Sequence, residues 1–148
     1  MSIYLHLKVV GALLVTLALA NTQLARYFKW KNELAHVSLL TRQIFQVHGF
    51  FIVLVVGMMG ACSLFYTDAL LASGALSRIV LAGLVVFWIS RLAIQFFVYD
   101  PAIWRGRRFY TIMHVVFSIL WIYVALTYSA ALHIAWKGAV SSIGPSAL

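Results

Sequence analysis

From Gly49 to Leu64 the chain carries no charged residue, and the apolar run around it extends from about Arg42 to Tyr66. A helix of that length crosses a hydrocarbon layer of roughly 30 Å. Three further runs share this character, at about 4–24, 78–99 and 109–135. In lipid each backbone N–H and C=O must be satisfied within its own segment, so such runs become helices. Composition agrees: the 148 residues are 64% hydrophobic and 9% charged, against about 45–50% and about 25% in an ordinary soluble domain. Mean hydropathy is +1.00. The sequence predicts a single all-α integral membrane domain over 1–148, four transmembrane helices in an up-down bundle.

The net charge of +8 sets Lys and Arg against three acids, Glu33, Asp68 and Asp100. These bases are dispersed among apolar spans and form no nucleic-acid-binding face. Arg26, Lys29, Lys31, Arg42, Arg105, Arg107 and Arg108 lie on one side, and only Lys8, Arg78 and Lys137 on the other. The positive-inside rule then places segments 21–42 and 100–108 in the cytoplasm and both termini outside, as in a bacterial inner membrane. Arg42, Arg105, Arg107 and Arg108 read as topology signals and as attractors of anionic headgroups.

The first run has two readings. Lys8, an apolar core and Ala18-Leu19-Ala20 before Asn21 resemble a signal peptide with its cleavage site. Cleavage would leave the bases of 26–42 outside, so an uncleaved helix is the expectation. Residues 24–42 mix Tyr27, Phe28 and Trp30 with bases, the composition of an interfacial amphipathic helix. Gly49, Gly57, Gly60 and Ala61 predict a face for close helix approach. Thr67–Ser77 reads as a short turn, and Asp100-Pro101 as the stop of the third span. Cys62, the single cysteine, reads as a small buried hydrophobe.

Within the third span Trp88, Arg91, Gln95 and Tyr99 fall on one helical stripe. An arginine at the centre of a span costs roughly 2.5–3.5 kcal/mol on insertion scales, so Arg91 is expected to face the protein interior. Depths converge. His48 lies roughly 9 Å inside the cytoplasmic edge, His114 roughly 8 Å, Gln95 about 6 Å and Arg91 about 12 Å. His48, Arg91, Gln95 and His114 are therefore the expected pocket. Trp88, Tyr99, Ser118, Trp121 and Tyr128 are its expected lining, the last three continuing it along the fourth helix. His6, His36 and His133 are expected to be solvated near the interfaces.

Three readings of the pocket follow. In the first, Arg91 and Gln95 hold the phosphate or carboxylate of a lipid-like ligand, with a histidine moving a proton. In the second, His48 and His114 approach within one ligand's width as axial ligands of a b-type haem. An echo supports parallel helices: Arg42, His48, Phe51 and Leu54 repeat as Arg108, His114, Phe117 and Leu120, as in two tandem hairpins. A divalent metal would need Asp100 as third ligand. In the third, the cluster only locks the bundle, as in a subunit of a larger membrane complex or a homo-oligomer.

Overall fold

The computed structural model describes residues 2–27, 37–100 and 106–142, with no strand among them. The helices are α1 (Ile3–Tyr27), α2 (Leu39–Phe65), α3 (Thr67–Leu71), α4 (Ala75–Phe97) and α5 (Arg108–Ser142). Four of them, all but α3, are long and apolar enough to cross a membrane. The expected interfacial helix falls largely on residues 28–36, outside the described residues, as do Arg105, His36 and the tail beyond Ser142.

Local chemistry explains the differences in helix bounds. The α2 helix begins ahead of the expected Arg42 because Ser38 caps it, its hydroxyl accepting the Thr41 N–H at 3.2 Å. The expected turn after α2 contains the one-turn helix α3, joined to α4 where Ser77 Oγ donates to the Ala69 carbonyl at 2.7 Å. The α4 helix ends at Phe97, before Pro101 and the residue that proline restricts. At its far end α5 runs beyond the expected residue 135 to Ser142, for no proline intervenes before Pro145.

The chain forms two compact units, Leu7–Thr67 and Met1–His6 with Asp68–Leu148. In the first, α1 and α2 are antiparallel, with Gly11 against Gly60 and Leu64, and Ala18 against Gly57. A Cβ on Gly11 would stand 2.7 Å from Leu64 N and 2.8 Å from Gly60 O. A Cβ on Gly60 would stand 2.8 Å from Val15 N and 2.9 Å from Gly11 O. Lipid supplies no hydrophobic drive between spans, so this backbone approach and its dispersion contacts carry the pairing. The expected glycine face thus narrows to Gly60, with Gly57 in ordinary contact and Gly49 facing open space.

In the second unit α4 and α5 are antiparallel. Arg78 meets Trp136, Trp88 meets Trp121, and Gln95 meets His114. Leu81, Leu84 and Trp88 are buried on α4, and Val124, Ala125, Tyr128, Ala131, Ala135 and Ala139 on α5. His6 corrects an expectation: it is half-buried rather than solvated, its Nδ1 hydrogen-bonded to the Tyr123 hydroxyl at 2.8 Å.

Gly60→Val should destabilise the protein by about 1–3 kcal/mol, because the two nearest atoms it meets, Val15 N and Gly11 O, are backbone and cannot yield. Gly83, which meets nothing, should tolerate alanine or gain slightly from it. Thermal unfolding in mild detergent, followed by alkylation of the half-buried Cys62, separates the two. Equal melting temperatures for the two variants would contradict the packing described.

Candidate functional site

Gln95 is the hub of the polar cluster. It is 5% exposed, on the same helical stripe as Arg91 and facing α5. Arg91 Nη1 donates to Gln95 Oε1 at 3.1 Å, and Gln95 Nε2 lies 2.8 Å from His114 Nδ1. The chemistry of the groups orients the whole chain. A guanidinium only donates, so the amide oxygen must face Arg91 and the amide nitrogen His114. The amide nitrogen also only donates, so His114 Nδ1 accepts. The neutral His114 ring therefore carries its proton on Nε2.

The Arg91 guanidinium rests on aromatic rings, its carbon 4.9 Å from the Trp121 centroid and 5.8 Å from that of Tyr99. The Trp121 ring also packs with those of Trp88 at 5.1 Å and Phe117 at 5.7 Å. Such ring faces attract a cation, by about 2 kcal/mol when it is desolvated. Arg91 is half-buried. None of its contacts among the described residues is with a carboxylate.

A groove of about 270 Å³ opens here, lined by Arg91, Gln95, Tyr99, Tyr110, Met113, His114 and Phe117. Tyr99 reaches it from beyond the end of α4. The expected lining is otherwise placed differently. Trp88 and Trp121 are buried, Trp121 beneath Arg91, and their indole nitrogens have no hydrogen-bond partner among the described residues. Ser118 turns its hydroxyl onto the His114 carbonyl oxygen at 2.7 Å, satisfying it within its own helix. Tyr128 is fully buried farther along α5. The walls are formed instead by Tyr110, Met113 and Phe117, one turn or less from His114. Their signal in the sequence is that spacing alone.

His48 belongs to the Leu7–Thr67 unit. It is exposed, and its Nδ1 donates to the Ile44 carbonyl oxygen at 3.0 Å. An iron bound at Nε2 requires the ring proton on Nδ1, donating outward. His48 has that arrangement and His114 does not, because Gln95 already donates to its Nδ1. The donor set of His114 thus does not fit axial haem ligation. Among the described residues no three His, Cys, Asp or Glu side chains gather closely enough to hold a metal ion.

Of the loop bases, Arg42 is half-buried near the start of α2, while Arg107 and Arg108 are exposed where α5 begins. Gly106, at φ 80°, makes the turn into that helix in a conformation that favours glycine. Arg107 lies over the Tyr110 ring at 5.8 Å. A second groove, of about 400 Å³, is lined by Gly106, Arg107, Arg108, Thr111 and Ile112.

No known protein family, curated protein or solved structure matches the chain.

Nitrogen NMR of the histidine-labelled protein should find neutral His114 protonated at Nε2. In Gln95→Glu a carboxylate replaces the donor, and the proton should move to Nδ1. Gln95→Leu leaves Arg91 and His114 without their shared partner and should cost about 1–3 kcal/mol of stability. A wild-type ring protonated at Nδ1 would contradict the assigned hydrogen-bond order.

Proposed function

We propose that this is a lipid-handling membrane protein whose Arg91 groove binds the phosphate or carboxylate head of an amphiphile. The observation that carries the reading is Arg91 itself. It is half-buried in a span, makes one hydrogen bond to protein and has no carboxylate partner among the described residues. The hydrogen bond to Gln95 holds the guanidinium in place and leaves its other N–H donors for an acceptor. An anionic head supplies both the missing charge and the missing acceptors. The groove's aromatic and thioether walls, Tyr110, Met113 and Phe117, suit the apolar part of such a ligand.

On this reading Gln95 is a positioning residue rather than a ligand contact, because both ends of its amide are engaged. The exposed Arg107 and Arg108 at the start of α5 raise the local concentration of anionic headgroups. The charge asymmetry favours a cytoplasmic location for this end of α4 and α5, in a bacterial inner membrane.

A second reading has its own observation. The bond from Gln95 to His114 joins α4 to α5, and a cluster that only locked the two helices would need nothing more. The two readings separate at Arg91.

Arg91→Gln should weaken binding of an anionic amphiphile, such as phosphatidic acid or a fatty acid, by about tenfold or more. That corresponds to loss of a charge-assisted hydrogen bond of about 1.5–3 kcal/mol. Arg91→Lys should recover only part of it, since an ammonium lacks the planar fork. Equilibrium binding to the detergent-purified protein measures both. Wild-type affinity in a folded Arg91→Gln protein would rule out the ligand reading and leave the lock.

A further inference from the structure

A third groove, also lined by an arginine, lies at the other end of the α4–α5 hairpin. Arg78 precedes Arg91 by thirteen residues, about 20 Å along the helix. The groove, of about 250 Å³, is lined by Ala75, Arg78, Ile79, Ala82 and Trp136. Its four α4 residues fall at i, i+3, i+4 and i+7, so they form one stripe that descends from the start of the helix. The cation stands near the top of that stripe, and the apolar Ile79 and Ala82 lie below it. The two alanines leave room, and Trp136 forms the facing wall.

Arg78 is half-buried, its guanidinium carbon 4.8 Å from the Trp136 ring centroid. Stacking engages the face of the guanidinium and leaves the N–H donors in its plane open to an acceptor. The loop before α4 packs against α5 near the groove. A Cβ on Gly138 would stand 2.6 Å from Ser73 Oγ, so that loop lies directly against α5 two residues beyond Trp136. Contact at Ser73 holds the start of α4 in register with the ring that Arg78 covers. An exposed tryptophan beside a cation, within a turn of a helix start, is the composition of the headgroup layer.

We propose that this groove binds an anionic phospholipid, the phosphodiester on Arg78 and the first part of an acyl chain along Ile79 and Ala82. Charge complementarity selects the head, and the stripe below it selects a lipid over a soluble anion. The proposal does not rest on the Arg91 groove: the two sites use different arginines at opposite ends of α4.

The test uses the full-length protein in a neutral detergent, titrated with phosphatidylglycerol and followed by native mass spectrometry, which resolves successive lipid-bound species. Arg78→Gln and Trp136→Leu should each weaken one binding step at least tenfold, whether or not Arg91→Gln is also present. Trp136 is 53% exposed, so its replacement tests the site even where the arginine variant fails to fold. Inorganic phosphate at millimolar concentration should not compete. Unchanged lipid binding in both variants overturns the proposal. So does loss of binding in Arg91→Gln alone, which would assign the lipid to the other groove, or full competition by inorganic phosphate, which would make the ligand a soluble anion.

Discussion

A guanidinium on a membrane-spanning helix has to be met from within the protein, and here Gln95 meets it. The amide accepts from Arg91 on its own helix and donates to His114 on the next. One side chain thereby holds a cation in place, fixes the tautomer of a histidine and joins α4 to α5. Its burial makes the arrangement stringent, because a buried amide that lost either partner would bear an uncompensated desolvation cost. The aromatic bed under Arg91 supplies the rest of the cation's surroundings: Trp121 directly below, its ring packed in turn with those of Trp88 and Phe117.

The two hairpins, each of two helices long and apolar enough to cross a membrane, pack by different means. In α1 and α2, Gly11 and Gly60 let backbone meet backbone, and close contact substitutes for the hydrophobic drive that lipid does not supply. In α4 and α5, tryptophans fill the centre of the interface, and buried alanines line α5 toward its C-terminal end. Large rings near Arg91 hold the polar cluster in one geometry. Small residues toward the other end open the space beside Arg78. The same helix pair thus presents one arginine-lined groove toward each end.

That α4 carries two arginines some 20 Å apart, each over an aromatic ring and neither paired with a carboxylate among the described residues, gives the proposals a common physical basis. Stacking lowers the cost of holding a cation near lipid without using its hydrogen-bond donors. An ion pair would have used both. Each arginine is thereby stabilised where it stands and still able to receive an anionic group.

The positions of the four long helices were legible in the sequence because apolar length is a local property, and the backbone in lipid has no alternative to helix. The stripe of Trp88, Arg91 and Gln95 was legible because it follows from the period of a single helix. The count of residues from a helix end, which put His48, Arg91, Gln95 and His114 at one level, was legible too; the structure joins the last three by hydrogen bonds and leaves His48 in the other compact unit. Lateral placement was not. That Tyr110, Met113 and Phe117 form the walls, that Ser118 spends its hydroxyl on its own backbone and that His6 bonds Tyr123 all depend on how helices rotate about their axes and which neighbours they face. So does the order of the hydrogen bonds. The sequence alone determined that Arg91 had to find a partner in hydrocarbon and set Gln95 one turn along its own helix; only the tertiary structure decided that Gln95 would also reach His114, because that contact lies between helices and no residue spacing encodes it.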